Sequence, residues 1–469
     1  MISNFLCNVN NSILEAMQVI NNNSKKVCFV VGDENTLEGV LTDGDIRRAI
    51  LLGNELQNPV SKILVKDYVY GQEQESISSL LKKLNKKIYI IPIVDKKNIV
   101  VDYMEHPQTP HYPVALPTLN GNEFKYLTDA FFSTWVSSKG RYIDKFEEGF
   151  SKYSECKHGV AVSNGTAALH LAISSLDIGL GDEVIVPDLT FAATINAVIH
   201  SNATPVIVDI ELDSWCIDPI SIESAITKKT KAIIPVHLFG QPCNMDAIMK
   251  IARKYKLKVI EDCAEAHGAT YNGKKVGSFG DVGCFSFYGN KIITTGEGGM
   301  CTTNSKKLSA KMQLLRDHGM NKVKKYWHDM VGFNYRMTNL QAAIGLAQLE
   351  RIDNILKNRR AYEDGYKKIL KKNFVFQQDY KNKKRVTWLV SLLVEGPKSR
   401  DYLVKKFVNN GIDARPFFYP LSDMDIYKSF CNTYTINSHT VSKKGLSLPT
   451  YESLKSIEKI KQICQKIKY

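Results

Sequence analysis

The chain has 469 residues, of which 44% are hydrophobic and 23% are charged, a composition typical of a globular protein with about two to four domains. It excludes a disordered chain, and no apolar run approaches the roughly 18 residues needed to cross a bilayer. Because the N-terminus lacks a basic region followed by an apolar stretch, we expect a cytoplasmic protein. Ten cysteines without a CxxC pair indicate reduced thiols, with neither disulfides nor a metal site.

The net charge of +14 is concentrated at one end of the chain. Residues 351–469 hold 25 basic and 11 acidic groups, whereas the preceding segments are close to neutral. A lysine-rich solvated surface and a basic rim that attracts an anionic small substrate are both consistent with this surplus. No helix-turn-helix, RNA-recognition or zinc-finger signature accompanies it, so we expect no nucleic-acid partner.

Residues 1–105 contain two copies of a short unit. Each copy has helical spacing followed by two apolar strands with a turn between them, and the first copy ends in a further helix. The pattern predicts a small paired α+β module. Its predicted elements are a helix, two strands and a helix at 12–20, 27–31, 37–41 and 45–52, then a helix and two strands at 76–84, 88–94 and 98–103.

The run GVLTDGDIRR at 39–48 joins the second strand of the first copy to its last helix. It resembles the strand-to-helix signature of a CBS domain. The resemblance implies that Thr42 and Asp45 contact the phosphate and ribose of an adenine nucleotide, and a hydroxyl at a helix N-terminus suits an anion. The second copy has no such TxxD pattern, so half of a nucleotide site is visible, and a structural or assembly role is the alternative.

Four prolines between 106 and 118 predict a linker, since prolines at this density prevent regular structure. In the following domain, 119–350, short apolar strands alternate with helices, which predicts an α/β fold with a mostly parallel central sheet. Residues 351–469 fit a smaller α+β lobe, with helices predicted near 398–409 and 453–468. The predicted strands of the larger domain lie at 159–162, 183–186, 204–208, 230–235, 258–261 and 282–287.

Three features of the 119–350 domain predict one ligand site. Gly165 and Thr166 follow an apolar strand and begin a helix, whose free N–H groups could hold a phosphate, although Thr166 could equally be the helix cap. Asp262 ends a buried strand at the sheet edge where ligands bind in α/β proteins. Lys291 follows another apolar strand and precedes a glycine-rich turn, where desolvation would make its neutral amine available as a nucleophile.

These are the parts that a pyridoxal phosphate (PLP) enzyme needs: an amine, an acid for the pyridine nitrogen and a phosphate cradle. With the polar loop 332–338 before a long helix, they closely resemble the sugar-nucleotide aminotransferases of the DegT and StrS type over about residues 112–469. That family has the fold-type I aspartate aminotransferase fold. Its members are dimers with shared active sites.

The resemblance implies a role for each matching residue. Lys291 would form the Schiff base with PLP and move the proton, and Asp262 would pair with the pyridine nitrogen. The other implied cofactor contacts are the stacking ring of Phe191, the phosphate ligands Gly165, Thr166 and Ser286, Glu265 near the ring oxygen, and Asn334 reaching the cofactor phosphate of the neighbouring subunit. Implied substrate contacts are His237, His267, Arg336 and Arg415, with a structural role as the alternative for both histidines.

The runs CAEAHG at 263–268 and ARPFFYP at 414–420 resemble the perosamine synthase branch of this family. That branch aminates C4 of GDP-4-keto-6-deoxy-mannose with glutamate for surface polysaccharides. Relatives that act on UDP-linked 4-keto-6-deoxy amino sugars share much of the pattern. Sugar dehydratases of the same fold carry His where Lys291 stands, which argues against them. A non-catalytic nucleotide sensor is the alternative from a different class.

Overall fold

The computed structural model describes residues 2–23, 25–75, 77–85, 88–105, 112–370, 374–395 and 399–452. The chain divides into two compact units, Met1–His111 and Tyr112–Tyr469. Linker residues 106–111 and the helix predicted at 453–468 lie outside the described residues. Within the described part of the chain, no helix is long and apolar enough to span a membrane.

The N-terminal unit contains two three-stranded sheets with the same pairing pattern. In each sheet the first strand runs parallel to the second, and the second runs antiparallel to the third. The described residues of the second copy contain no counterpart of the last helix of the first. The elements are β1 Leu6–Asn8, α1 Ile13–Asn23, β2 Val27–Val31, β3 Leu37–Thr42, α2 Asp43–Leu51, β4 Gly71–Gln72, α3 Ile77–Lys83, β5 Ile90–Val94 and β6 Val100–Glu105.

A seven-stranded sheet forms the centre of the second unit, in the order β7-β15-β14-β11-β10-β8-β9. Six strands are parallel, and β15 runs antiparallel to both of its neighbours. All six predicted strands are present, but β15 was missed because it is short and follows a glycine run. The strands are β7 His158–Val162, β8 Glu183–Pro187, β9 Thr204–Val208, β10 Thr230–Ile233, β11 Lys258–Asp262, β14 Val282–Ser286 and β15 Gly299–Thr303.

The strands of this sheet are buried on both sides, which shows that other elements cover both of its faces. A small second sheet of β12 Thr270–Tyr271, β13 Lys274–Lys275 and β17 Lys383–Lys384 lies in the same unit. The helices of the second unit before residue 350 are α4 Glu123–Phe132, α5 Arg141–Tyr153, α6 Gly165–Ser175, α7 Ala193–His200, α8 Pro219–Ser224, α9 Met245–Tyr255, α10 Lys306–Arg316 and α11 Asn339–Leu349.

The C-terminal part of this unit is an α+β lobe with its own apolar core. Its four-stranded sheet is antiparallel, in the order β16-β18-β20-β19. The prediction of a fold-type I architecture, a mostly parallel sheet with a smaller α+β lobe, is confirmed. The remaining elements are α12 Ile352–Leu370, β16 Phe374–Phe376, β18 Val390–Val394, α13 Arg400–Asn409, β19 Arg415–Pro416, α14 Ile436–Lys444 and β20 Gly445–Leu448.

Candidate active site

A cavity of about 810 Å³ opens where the carboxyl ends of β11 and β14 meet the N-terminus of α6. Parallel strands bring their carboxyl ends to one edge of a sheet, so residues far apart in the chain converge there. Seven of the predicted site residues line this cavity: Gly165, Thr166, Phe191, Asp262, Glu265, Ser286 and Lys291.

The helix α6 and the end of β14 form one end of the cavity. Asn164 caps the helix, since its side chain accepts a hydrogen bond from the N–H of Ala167 at 2.8 Å. The cap is therefore not Thr166, and the Thr166 side chain lines the cavity instead. A Cβ atom at Gly165 would lie 2.7 Å from Cβ of Ser286, so only glycine allows this close approach. Free helix N–H groups and two hydroxyls suit a phosphate at this position.

Asp262 lies at the carboxyl end of β11 and is only 6% exposed. Its Oδ2 accepts a hydrogen bond from the hydroxyl of Thr194 at 2.9 Å, and its Oδ1 accepts one from the N–H of Ala264 at 3.1 Å. Burial raises the pKa of this carboxyl, while these two hydrogen bonds act in the opposite direction. The carboxyl group is therefore held in a fixed orientation inside the cavity wall.

The amine of Lys291 lies between an acid and an aromatic ring. Its Nζ is 3.6 Å from Oε1 of Glu265 and 4.2 Å from the centre of the Trp388 ring. Burial raises the pKa of Glu265 to about 7, although the nearby Lys291 charge lowers it. The other oxygen of Glu265 accepts the N–H of Phe239 at 2.8 Å. Phe239 has a left-handed backbone, with φ of 52°, which is uncommon for a residue with a side chain.

Trp388 is a site residue that the sequence analysis missed. Its indole N–H donates to the carbonyl of Asn290 at 2.8 Å, which anchors the ring beside Lys291. It comes from the segment just before β18, nearly a hundred residues after the lysine, and no local motif marks it. Phe191, at the cavity mouth, is 60% exposed, and its ring centre is 5.8 Å from that of Phe418.

The two histidines predicted as substrate contacts do not line the cavity. His237 is fully buried, its Nδ1 accepts the N–H of Cys243, and its Nε2 lies 3.1 Å from Glu261. His267 packs against aromatic rings, among them Phe285 with ring centres 5.4 Å apart, and burial lowers its pKa to about 3. His237 therefore has structural partners in Glu261 and Cys243, and the role of both histidines as substrate contacts stays a prediction.

His237, Glu261 and Cys263 also form a cluster whose potential metal-ligand atoms lie within 4.8 Å of one another. The oxygens of Glu261 accept backbone N–H groups from Gly277, Phe279 and Gly280, each at 2.8 Å. Hydrogen bonds from the protein therefore satisfy this carboxylate.

Three predicted polar residues lie outside the cavity of their own chain. Asn334 is exposed, and its Oδ1 accepts hydrogen bonds from Arg336 at 3.2 and 3.1 Å. Arg336 also pairs with Asp317 at 2.9 Å. Arg415 is bound by both oxygens of Asp413, at 2.7 and 2.8 Å. Neither arginine lines the cavity of its own chain, and the role of both as substrate contacts stays a prediction.

Comparisons with known proteins agree with this geometry. Residues 117–468 match the DegT/DnrJ/EryC1/StrS aminotransferase family. The chain belongs to this family. GDP-perosamine synthase from Escherichia coli O157:H7 is 44% identical over 76% of this chain and 98% of its own length. The GDP-perosamine synthase from Caulobacter vibrioides is 48% identical, over 74% of this chain and 94% of that protein.

Solved structures give the same result. The putative sugar aminotransferase Spr1654 from Streptococcus pneumoniae, in its PLP form, has a TM-score of 0.70 at 28% identity, over 76% of this chain and 99% of that one. DesV from S. venezuelae has a TM-score of 0.69 at 30% identity, over 76% of this chain and 100% of that one. The chain is a PLP-dependent sugar aminotransferase, and the predictions of cofactor and enzyme class are confirmed.

The N-terminal unit also matches a known family, since residues 1–52 match the CBS domain. The match covers the first copy, in which Thr42 and Asp45 form a capping box at the start of α2. The Thr42 hydroxyl donates to Asp45 Oδ2 at 2.6 Å, and the Asp45 N–H donates back to that hydroxyl at 3.3 Å. Both side chains therefore stabilise the helix N-terminus.

Proposed function

We propose that the enzyme transfers the amino group of glutamate to C4 of GDP-4-keto-6-deoxy-mannose, forming GDP-perosamine for a surface polysaccharide. The observation that carries this proposal is the identity of 44–48% to proteins named GDP-perosamine synthase, over 94–98% of their length. A dTDP-3-amino-3,6-dideoxy-α-D-galactopyranose transaminase is 45% identical over 68% of its length. The nucleotide and the sugar are therefore the features to test.

The residues of the cavity fit pyridoxal phosphate. Gly165, Thr166 and Ser286 would hold its phosphate, because the glycine lets the helix N-terminus approach the serine hydroxyl. Asp262 would pair with the ring nitrogen, and Phe191 would pack against the ring. When bound, the cofactor supplies an electron sink that allows a C–H bond beside the amine to be broken and re-formed.

The side chains around Lys291 would control its proton. Nζ of Lys291 takes the proton from one carbon and returns it to another, as a general base and then a general acid. Glu265 and Trp388 hold the free amine within the cavity, and both suit its charged form. The hydrogen bonds from Thr194 and Ala264 keep Asp262 oriented during both halves of the reaction.

We further propose a homodimer in which Asn334 of each chain reaches the cavity of the other. Asn334 is exposed and does not line the cavity of its own chain. An exposed aromatic face on and after α4 would supply the contact, with Phe124 81%, Phe132 76% and Trp135 56% exposed. Dimers that combine one Lys291→Ala chain with one Asn334→Ala chain should recover activity at one of their two sites. Mixed dimers as inactive as the parent variants would contradict a shared site.

For the N-terminal unit we propose adenine nucleotide binding beside Thr42 and Asp45, as the resemblance to CBS domains suggests. The unpaired TxxD motif and the capping box make this a weak site unless a second chain completes it. Titration of the full chain with ATP, with Thr42→Val as the comparison, tests it. Equal affinity in both proteins would assign the two residues to the helix cap alone.

The absorption spectrum of the purified enzyme tests the main proposal. Glutamate without sugar should convert the visible band of the bound cofactor to that of its amino form. GDP-4-keto-6-deoxy-mannose should then restore it, and a UDP-linked 4-keto-6-deoxy amino sugar should not. Restoration by the UDP sugar alone would change the substrate assignment.

The variant Lys291→Ala separates catalysis from folding. We expect its thermal unfolding to match the wild type, with turnover at least about 100-fold lower, which is the lower range for losing a general acid and base. Lys306→Ala, which removes an exposed lysine at the start of α10, is the matched control. Turnover of Lys291→Ala near the wild-type rate would show that the assignment is wrong.

A further inference from the structure

A second concave surface, of about 1020 Å³, shares no lining residue with the active-site cavity. One wall is formed by residues of α12, and the other by the small sheet of β12, β13 and β17 and the residues around β17. Seven basic and three acidic side chains line it, which leaves a net charge of +4. We call this surface the basic groove.

Arginines already engage two of the three acidic side chains. Asp379 accepts hydrogen bonds from both terminal nitrogens of Arg360, at 3.0 and 2.6 Å, and lies 3.0 Å from Nε of Arg385. Asp364 lies 3.5 Å from Arg360. The two arginines are therefore paired, and the remaining positive charge of the groove belongs to lysines.

Five lysines line the groove without a carboxylate partner. Among the described residues, no carboxylate oxygen lies within 4.0 Å of any of their Nζ atoms. Four of the five belong to the lysine-rich segment after residue 350. The five are Lys275, Lys357, Lys381, Lys383 and Lys384.

Strand pairing places two of these lysines on either side of one threonine. Thr270 pairs with Lys275 on one side and with Lys384 on the other. Directly paired residues share a face of a sheet, and adjacent strands are about 4.8 Å apart, so the lysines flank the Thr270 hydroxyl with their backbones about 10 Å from each other. An anion bound over Thr270 can therefore contact both amines.

The Lys275 ammonium is partly desolvated and close to the charge of Lys384. This residue is partly buried, and its Nζ lies 3.2 Å from the centre of the Tyr153 ring. Burial lowers its pKa, and so does the charge of Lys384, while Asp353 and Glu155 raise it. Two ammonium groups that face one groove repel each other, and a bound anion would offset that repulsion.

We propose that the basic groove binds a small anion with two or more linked phosphoryl groups. A linear polyphosphate group can reach from Lys275 to Lys384. A single phosphate is shorter and contacts both amines less well, because the two backbones are far apart. The groove's tyrosine rings are not free to stack on a base, because Lys275 covers Tyr153 and Lys383 lies 4.5 Å over Tyr380. Inorganic tripolyphosphate and nucleoside triphosphates should therefore bind with similar affinity.

Calorimetric titration of the PLP-loaded full chain with sodium tripolyphosphate, in buffer without divalent cations, tests this inference. Lys275→Gln/Lys384→Gln should weaken binding at least tenfold. The control Lys306→Gln/Lys307→Gln removes the same charge from an exposed site at the start of α10 and should change the affinity less than twofold. If the double groove variant folds poorly, Lys384→Gln alone, at an exposed position, should still weaken binding at least threefold.

The outcome is independent of the proposed function, since the cofactor spectrum and sugar amination should be the same in all these variants. Equal weakening by both double variants would overturn the site, because it would show only a response to net charge. Absence of saturable tripolyphosphate binding to the wild type would overturn it as well. ATP binding that the groove variants leave unchanged would belong to a different site, and RNA binding without tripolyphosphate binding would replace the small ligand with a macromolecule.

Discussion

The variant Gly165→Ala tests the proposed phosphate cradle with a single methyl group. The glycine begins α6 with an ordinary backbone conformation, so alanine introduces no backbone strain there. Its Cβ would lie 2.7 Å from Cβ and 3.0 Å from Oγ of Ser286, but 3.4 Å from its Cα. The closest conflict is therefore with Cβ of Ser286, which no rotation of the side chain can relieve, so the end of β14 or the start of α6 must shift and displace the phosphate ligands.

Overpacking of this kind costs about 1–3 kcal/mol. If this cost falls on the cofactor-bound state, PLP binds about 5- to 150-fold more weakly. The background at position 286 should decide the size of the effect. In the Ser286→Ala background the close Cβ atom remains, so Gly165→Ala should still weaken PLP binding. In the Ser286→Gly background the methyl group has room, so adding Gly165→Ala should weaken PLP binding less than about twofold.

Fluorescence titration of the apoenzymes with PLP, together with thermal unfolding, provides the measurement. Gly289→Ala is the control, because a Cβ there meets nothing closer than 4.0 Å and the backbone is not left-handed. Equal weakening of PLP binding by Gly165→Ala in all three backgrounds would contradict a conflict with Ser286. Binding of PLP by the Gly165→Ala variant as tightly as by the wild type would contradict it as well.

Two further predictions concern buried charges. Glu363→Gln should lower the free energy of unfolding by up to about 3–5 kcal/mol in urea titrations, because it removes the buried carboxylate partner of the Arg385 guanidinium and leaves only the half-exposed Asp379 beside it; an effect below about 1 kcal/mol would contradict this. Burial raises the pKa of Glu265 to about 7, so the protonated side chain makes the folded state up to about 3 kcal/mol more stable than the ionised one does. This stabilisation is full below the unfolded pKa near 4.5 and is lost as the pH rises through 7. Apoenzyme unfolding curves should show this loss, and Glu265→Gln should remove it.

The sequence predicted much of the site because its strongest signals are local. Asp262 at a strand end, Lys291 before a glycine-rich turn and Gly165 at a helix start can each be read within about ten residues. The parallel strands then bring their carboxyl ends together, as expected, and seven predicted residues line one cavity. The roles given to these residues remain predictions that the variants above address.

The helices and the antiparallel strand pair of each copy in the N-terminal unit followed from its repeated pattern. The parallel strands β1 and β4 and the hydrogen bonding of Thr42 and Asp45 did not. Thr42 and Asp45 form a reciprocal capping box, which also matches the TxxD spacing. One motif thus serves helix capping and nucleotide contact equally well, and sequence spacing cannot distinguish them. The antiparallel strand β15 was missed for a related reason, since five residues after a glycine run carry no periodic signal.

The sequence by itself determined the family and the α/β class, and it predicted Lys291 as the amine and Asp262 as the acid, because these depend on short patterns of burial and turns. Only the tertiary structure decided that His237 pairs with Glu261, that Trp388 lies against Lys291, and that Lys275 and Lys384 share a groove. Each of these contacts joins segments that are distant in the chain. Their formation depends on strand register and on which side of a sheet a residue faces, and no local pattern encodes either.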